Sequence, residues 1–438
     1  MRLETLQQAM TGQGIDAWLV HDFRNANPTL ARLLPPQKVG GGSAGSKRHL
    51  TRRALLWIPA RGEPVVLAHG IDRSAFDGAV LASGESVKIE VYLTWQELRA
   101  WIGARVAGLG RKTGAGAGAG AGGGAGGGAG GGRVAMEYSP GGMLPVVGVV
   151  DAGSVEFVRS CGAEVVSSAD LIQAAIAVWD ERALESHLWA SERVARVKDD
   201  AFALVRERLR SGAEVCEWDL CRFIRERFGE AGLEWPDGPI VAINGHGADP
   251  HFETTAACTA PIKPGDFILL DLWARRPGDE HIYSDITWVA FAAGPGSPRP
   301  SERHRRVFEA VRAARDAAVT LAQDRWRAKR PAQGWELDDA ARDQIVRAGY
   351  GANIRHRTGH SLSPGPMVHG VGVNIDNLET HDTRALIPGV GFTVEPGAYL
   401  PDSADGPGFG VRLEINVHVD AVRGPTVTSC IQNEIVLA

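Results

Sequence analysis

Short apolar runs alternate with amphipathic stretches over the first part of the chain. Between Ala17 and Val166 the runs read AWLVHDF, ALLWIPA, VVLAH, KIEVYL, RVAMEY and AEVVS, and stretches such as WQELRAWIGARVAGL lie among them. The runs have the length and composition of strands, and the longer stretches repeat apolar residues at helical spacing. The pattern predicts an α/β domain over residues 1–167.

The pattern changes near Ser168. Residues 181–209, ERALESHLWASERVARVKDDAFALVRERL, keep apolar positions three and four apart and predict a long amphipathic helix. A second helix, CEWDLCRFIRERFGEAGL, is followed by the strand PIVAI and by a hairpin. Two helices followed by extended segments occur again after Ser301, which predicts a two-halved second domain over residues 168–438.

A segment of glycine and alanine interrupts the first domain. Residues 113–132 read TGAGAGAGAGGGAGGGAGGG, which offers almost no side chain to bury and a high backbone entropy to lose. We interpret it as a flexible loop insertion. Its glycines satisfy the spacing of a dinucleotide-binding loop, but they precede a strand instead of joining a strand to a helix.

Two carboxylates lie inside apolar strands of the predicted hairpin. The sequence FILLDLWARRPGDEHIYSDITWVAF, residues 267–291, contains Asp271 and Asp285. Burying an unpaired carboxylate costs several kcal/mol or more, so a compensating charge is needed. A metal ion is one candidate. The alternative is that Asp271 pairs with an arginine such as Arg275 and that Asp285 caps a turn.

The same feature occurs twice more near the C-terminal end. Glu395 lies in VGFTVEPGAYL and Glu414 in FGVRLEINVHV. Strand alternation predicts one polar face in the second segment, formed by Arg412, Glu414, Asn416 and His418. A salt bridge between Glu414 and Arg412 on a wet sheet face is the alternative to a metal site there. It does not account for Glu395.

A histidine accompanies the four carboxylates. His356 and His360 are four residues apart in HRTGHSL, but Arg357 replaces the glutamate of the zinc motif HExxH, and Gly359 weakens a helix. Two Asp, two Glu and one His on strands of one domain form an oxygen-rich donor set. Such a set suits Mn²⁺, Co²⁺, Fe²⁺ or Zn²⁺, and four carboxylates can neutralise two dications.

Composition narrows the class of protein. The formal net charge is -5, with 47 basic and 52 acidic residues, so no basic field for nucleic acid is indicated. The first residues lack an apolar signal region, and nowhere do about eighteen apolar residues follow one another, which predicts a cytoplasmic protein without a membrane partner. The five cysteines show no CxxC spacing, which disfavours a disulfide framework and a thiolate zinc site.

Taken in order, these motifs resemble the M24 "pita-bread" metallopeptidases, most closely aminopeptidase P and prolidase. The motifs are Asp271 in ILLDLW, Asp285 in YSDIT, His360 in HRTGHS, Glu395 in TVEPG and Glu414 in VRLEI. The resemblance implies a creatinase-like α/β N-terminal domain and an α+β pita-bread catalytic domain, with an antiparallel sheet flanked by helices. It also implies a homodimer.

The resemblance assigns a role to each motif. It implies two divalent metal ions, Mn²⁺ foremost, bridged by Asp285, Glu414 and a water or hydroxide, with Asp271 completing one shell and His360 and Glu395 the other. Glu395 is further expected to carry a proton to the departing amine.

Four more residues are expected at the site by the same resemblance. His251 in DPHFE is expected to contact substrate, and His369 in MVHGVG to stabilise the tetrahedral intermediate. Arg412 is expected to orient a ligand carboxylate, and His356 to line the site.

The chain departs from the family pattern in the strands of the hairpin. Trp273 stands in Asp-Leu-Trp where Asp-x-Gly is usual, and Trp288 follows DIT where arginine is commoner, so both tryptophans are expected to narrow the pocket.

The function that the resemblance implies is hydrolysis of the peptide bond before proline, on a small peptide with proline at the second position. Two alternatives remain at this point. One is a creatinase-like hydrolase or a lyase that acts on a small non-peptide substrate, and the other is a non-catalytic binding module.

Overall fold

The computed structural model describes residues 2–36, 48–109, 131–294, 299–404 and 406–438. The Gly/Ala-rich segment predicted as a flexible loop lies outside these residues, apart from Gly131 and Gly132. The chain forms two compact units, Met1–Ile176 and Ala177–Ala438. No helix in the described parts of the chain combines the length and the apolar character that a membrane span requires.

The first unit is an α/β structure, as predicted. Its helices are α1 Leu3–Gly12, α2 Pro28–Leu33, α3 Trp95–Leu109, α4 Ala152–Ser160 and α5 Ala169–Ile172. Its strands are β1 Ala17–Phe23, β2 Arg53–Pro59, β3 Val65–His69, β4 Lys88–Tyr92, β5 Arg133–Met136 and β6 Glu164–Ser167. They form one mixed sheet in the order β4-β3-β2-β1-β5-β6.

The central strands of this unit are buried along most of their length, and α3 buries one side against them. Leu19 and Leu55 of the sheet pack in one apolar cluster with Leu98, Ile102 and Val106 of α3. The three α3 residues are spaced by four, so they lie on one side of the helix. These contacts bury the apolar side of α3 against the sheet.

A buried carboxyl group joins the C-terminal part of the first unit to its N-terminal part through hydrogen bonds. Glu137 is fully buried and accepts hydrogen bonds from Trp18 Nε1 at 2.7 Å, Asn27 Nδ2 at 2.7 Å and Ser168 Oγ at 3.2 Å. Ser168, which donates to Glu137, belongs to this unit, and the unit runs to Ile176, nine residues past the boundary placed at 167 from the sequence. The change of sequence pattern precedes the end of the packed unit.

The second unit contains long helices and several sheets. Its helices are α6 Glu181–Ser211, α7 Glu217–Glu230, α8 Glu302–Arg327 and α9 Gly334–Arg347. Its strands are β7 Ile240–Ile243, β8 Phe267–Ala274, β9 Ser284–Phe291, β10 Ser361–Leu362, β11 Gly391–Val394, β12 Gly397–Leu400, β13 Phe409–Arg412, β14 Ile415–Asp420, β15 Gly424–Val427 and β16 Val436–Leu437.

The two halves of this unit are built alike. The pair α6 and α7 packs on the sheet β16-β9-β8-β7, and the pair α8 and α9 packs against the strands of the sheet β10-β11-β14-β15 and of the pair β12-β13. Helix ends are set by local capping: Asp180 accepts from Ala183 N at the start of α6, and Ser301 accepts from His304 N at the start of α8. Each half therefore has its own apolar core under a pair of helices.

The fully buried Glu137 makes the stability of the first unit depend on pH. Burial raises the pKa of Glu137 to about 7, despite the hydrogen bonds from Trp18, Asn27 and Ser168, which favour the charged form. The folded unit therefore binds more protons than the unfolded chain between the ordinary value of 4.5 and about 7. Stability is full below this window and falls as the pH rises through it, by at most about 3 kcal/mol.

We expect Glu137→Gln to remove this loss, because an amide does not ionise. Thermal unfolding of both proteins from pH 4 to 8 measures it, with the difference between variant and wild type growing in favour of the variant as the pH rises. Parallel pH curves for the two proteins would contradict the assignment.

Candidate metal centre

The hairpin of β8 and β9 sets the first group of polar side chains. Asp271 pairs with Thr287, and Trp273 pairs with Asp285. Cross-strand partners and residues two apart share a face, so all four side chains project to the same side of the sheet. Asp271 is 8% exposed and Asp285 5% exposed, which shows that this polar face is buried.

The segment that joins β13 to β14 brings Arg412 and Glu414 to this face. The main-chain N–H of Glu414 donates to Thr287 O at 3.1 Å. Asn416 fixes the approach, since its Oδ1 accepts from Asp285 N at 3.0 Å and its Nδ2 donates to Asp285 O at 2.5 Å. The side-chain amide of Asn416, on β14, thereby joins its sheet to β9, which belongs to a different sheet.

The third group comes from β10 and β11. The main-chain N–H of His360 donates to Thr393 Oγ1 at 2.9 Å, and that hydroxyl donates to Glu395 Oε1 at 3.0 Å. Gly359 allows this approach, because a Cβ there would lie 2.1 Å from the main-chain oxygen of Thr393. A single threonine thus orients both His360 and Glu395.

The five residues that the sequence singles out as metal ligands come together in the structure. Ligand atoms of Asp285, His360 and Glu414 all lie within 4.8 Å of one another. His360 Nε2 is 3.4 Å from Asp285 Oδ2 and 3.5 Å from Glu395 Oε1. Thr287 Oγ1 links the remaining pair, at 3.1 Å from Asp271 Oδ1 and 2.8 Å from Glu414 Oε2. Their roles as ligands remain a prediction.

Charge repulsion and burial dominate the electrostatics of this cluster. Burial raises the pKa of Asp271 to about 7, although Arg412 opposes the shift. Burial and the neighbouring carboxylates raise the pKa values of Asp285 and Glu414 well above the ordinary range. Burial also disfavours the charged form of Glu395, but the electrostatic effects of His360, His356, Arg412 and His369 outweigh it and lower the pKa of Glu395. The protein by itself supplies too little positive charge for the carboxylates.

Three observations fit a divalent cation at this place. His360 Nδ1 lies 3.1 Å from Ser361 O, an arrangement that holds Nδ1 as the donor and leaves the Nε2 lone pair facing the carboxylates. Glu414 Oε1 is buried without a hydrogen-bond partner among the described residues. Carboxylate oxygens with one imidazole are donors typical of Mn²⁺, Fe²⁺, Co²⁺ or Zn²⁺.

Arg412 does not form the exposed salt bridge considered for Glu414. Its guanidinium pairs with Asp271 Oδ2, its Nε donates to Thr287 Oγ1 at 2.9 Å, and it is 6% exposed. Nor does Asp271 pair with Arg275, whose guanidinium binds Glu234 and Asp279. Strand β13 ends at Arg412 and β14 begins at Ile415, so Arg412 and Glu414 do not lie on one continuous strand and no wet face forms.

A buried tyrosine extends the Arg412 network, and the sequence analysis missed it. Tyr399 OH accepts from Arg412 Nη1 at 3.2 Å and lies 2.7 Å from His356 Nε2. His356 Nδ1 lies 2.7 Å from Arg357 O, so Nε2 is the acceptor of the tyrosine proton. Tyr399 lies four residues after Glu395, in EPGAY, and this position is the signal that could have identified it.

Thr287 was also missed. It lies two residues after Asp285 on the same strand, so strand alternation alone places it on the face of the predicted ligands.

The two remaining histidines lie in different surroundings. The ring centroid of His369 is 4.0 Å from that of His360, and the neighbouring His360 lowers the pKa of His369. His251 is exposed on the loop after β7, where its main-chain N–H donates to Asp249 Oδ1 at 2.9 Å. The structure therefore brings His369 to the cluster and shows no side-chain contact of His251 with it among the described residues.

The expectation that Trp288 narrows the pocket is wrong. Its position one residue after Thr287 turns its side chain to the other face of β9, where the Lys198 ammonium lies 3.5 Å above the ring. The indole packs against the apolar core under α6 and α7. Trp273, by contrast, shares the face of Asp271 and Asp285.

Thr287 offers a test of the network that joins the carboxylates. We expect Thr287→Val, which keeps the shape but removes the hydroxyl, to lower the free energy of unfolding by about 1–3 kcal/mol, because buried charged groups lose a partner. Thermal and denaturant unfolding of the metal-free protein measure it. Thr320→Val, at an exposed position of α8, is the matched control, and equal effects of the two changes would contradict the linking role.

The sequence is similar to those of known proteins. The model of metallopeptidase family M24 matches residues 190–421, which is more than half of the chain. A Xaa-Pro dipeptidase of Lactobacillus helveticus is 31% identical over 175 residues, which are 40% of this chain and 40% of that protein. The chain thus spans less than half the length of that relative.

Solved structures show the same fold over nearly the whole chain. Dipeptidase PepE from Mycobacterium ulcerans has a TM-score of 0.65 at 20% identity, covering 100% of this chain and 96% of that chain. X-prolyl aminopeptidase from Caenorhabditis elegans, described as a cytosolic enzyme with a di-nuclear active site, has a TM-score of 0.56 at 16% identity, covering 98% of this chain and 61% of that chain. The predicted pita-bread fold and the predicted class of metallopeptidase are confirmed, and the chain belongs to metallopeptidase family M24.

Proposed function

We propose that this protein hydrolyses the peptide bond before proline, as an Xaa-Pro dipeptidase or Xaa-Pro aminopeptidase with two divalent metal ions, Mn²⁺ foremost. The observation that carries the proposal is the convergence of three buried carboxylates, the partly buried Glu395 and His360 around Thr287 and Arg412, with too little positive charge of their own. The similarity to an Xaa-Pro dipeptidase and to an X-prolyl aminopeptidase supports the choice of substrate. A cytoplasmic location and a homodimer are further parts of the proposal.

The cluster residues would hold the metal ions, namely Asp271, Asp285, His360, Glu395 and Glu414. Bound divalent ions supply a polarised scissile carbonyl and a water of lowered pKa. The residues of this chain then orient the substrate and protonate the departing amine. Glu395, kept ionised beside His360, is suited to take a proton and to deliver it to the departing amine.

Arg412 acts as a positioning residue in this proposal. It holds Asp271 from one side while Tyr399 holds its Nη1 and Thr287 accepts from its Nε. His356 fixes the tyrosine in turn. His369, packed against His360, is suited to face the oxygen that becomes negative in the transition state. The proposal keeps His251 as a substrate contact, on the basis of its motif.

A substrate screen tests the reaction. We expect the full-length protein, stripped with chelator and then supplied with Mn²⁺, to release proline from Xaa-Pro dipeptides or to release the first residue from longer Xaa-Pro peptides. Xaa-Ala peptides of the same length should be poor substrates, and the stripped protein should be inactive. Turnover of creatine or another small non-peptide substrate, with none of the proline peptides, would reject the peptidase assignment in favour of the creatinase-like one. Metal binding without any turnover would favour the binding module.

Asp285 gives a test that does not depend on activity alone. We expect Asp285→Asn to abolish proline release and to weaken binding of Mn²⁺ measured by titration calorimetry, because the change removes a charge that would hold a metal ion and barely changes the side-chain volume. The metal-free variant should unfold at the same temperature as the wild type or higher, since a buried negative charge beside Glu414 and Glu395 is lost.

The matched control for this variant is Asp343→Asn, at an exposed carboxylate of α9. Its metal affinity and turnover should equal those of the wild type. Full turnover in Asp285→Asn would contradict the bridging role.

A further inference from the structure

The indole of Trp273 forms one side of the candidate metal centre. On β8 it follows Asp271 by two residues, and it lies directly opposite Asp285 on β9. It packs against an apolar cluster that includes Leu362, and Val368 packs against the same cluster. Leu362 and Val368 lie between His360 and His369 in the chain, so the indole adjoins the segment that carries both histidines.

The far end of this indole holds a carboxylate. Trp273 Nε1 donates to Asp237 Oδ1 at 2.8 Å. The next residue, Gly238, packs so closely on the ring that a Cβ there would lie 2.3 Å from Trp273 Cη2, and its φ of +69° also favours glycine. Arg225 Nε donates to Gly238 O at 2.9 Å. The main chain at 237–238 is therefore fixed against the tryptophan, and the carboxylate is fixed with it.

Asp237 belongs to the edge of the cluster and not to its buried centre. It is exposed, whereas Asp285 is buried. Its negative charge nevertheless contributes to raising the pKa of Asp285, after the larger effects of burial and Glu395. One indole thus separates a solvent-facing carboxylate from the carboxylates of the candidate metal centre.

Asp237 makes no ion pair with another side chain in the part of the chain that the structure describes. The nearby guanidinium of Arg275 is buried and bound to Glu234, Asp279 and the main-chain oxygen of Gly365. Over the described ranges of the chain, no Lys, Arg or His forms an ion pair with Asp237. One carboxylate oxygen is used by the indole, and the other remains available to a cation from outside.

We propose that Asp237 is a specificity-determining residue that binds a cationic side chain on the first residue of the substrate, lysine or arginine. The proposal rests on the proposed function. A substrate's α-amino group lies beside the scissile bond and therefore beside the metal cluster, whereas Asp237 lies one indole further out. An extended lysine or arginine side chain spans that separation and can lay its apolar stem along the ring of Trp273.

Paired substrates and a charge-removing variant test this inference. Lys-Pro and Met-Pro have first residues of similar length and differ in charge. We expect the wild type to favour Lys-Pro in kcat/KM, and Asp237→Asn, which keeps an oxygen acceptor for the indole, to lower the Lys-Pro to Met-Pro ratio by about five- to tenfold. The wild-type ratio should also fall as NaCl is raised from 0.05 to 0.5 M, because the ion pair is exposed. In the control Asp343→Asn the ratio should stay at the wild-type value.

A binding measurement separates this inference from the proposed function. Titration of the metal-loaded full-length protein with lysinamide and methioninamide should show tighter binding of lysinamide, and Asp237→Asn should remove the difference. If the protein cleaves Xaa-Pro dipeptides but Asp237→Asn leaves both ratios unchanged, Asp237 only supports Trp273 and the inference is overturned. If no dipeptide is cleaved while the binding preference depends on Asp237, the proposed reaction fails and the cation site stands.

Discussion

The second unit depends on compensation of negative charge that several strands bury at one place. Asp271, Asp285, Glu395 and Glu414 converge from the sheets, and among the described residues Arg412 is the guanidinium that ion-pairs inside the cluster. Carboxylates this close raise one another's pKa unless positive charge intervenes. The arrangement is therefore unfavourable as a purely structural feature, and a bound cation would offset its negative charge.

Three uncharged polar side chains make this convergence possible. Thr287 joins the carboxylates of the hairpin to Glu414, Thr393 orients His360 and Glu395, and Asn416 holds β9 to β14 through main-chain groups of Asp285. Each satisfies donors or acceptors that would otherwise be buried without partners. The side chains of the candidate metal centre are thus held in place by hydrogen bonds from their own sheets.

The family scaffold and the individual substrate pocket are separable in this chain. The five motif residues occupy strand or strand-end positions whose spacing is set by the two sheets. Trp273 and Asp237 differ from these residues, because the indole holds a loop carboxylate at the edge of the candidate metal centre. A change of one strand residue can therefore alter the edge of the candidate metal centre without moving the five motif residues.

The sequence by itself determined which strands carry polar residues and on which face, because side chains alternate with a period of two whatever the tertiary structure. It identified Asp271, Asp285, His360, Glu395 and Glu414, and the same alternation would have excluded Trp288 and included Thr287. Only the tertiary structure decided which charges meet. Arg412 reaches Asp271 across 141 residues while the nearer Arg275 turns to Glu234, and Tyr399 and Asp237 acquire partners from other strands. Such contacts depend on how the sheets pack and on where one strand ends and the next begins, as between β13 and β14. Local sequence periodicity carries no information about either.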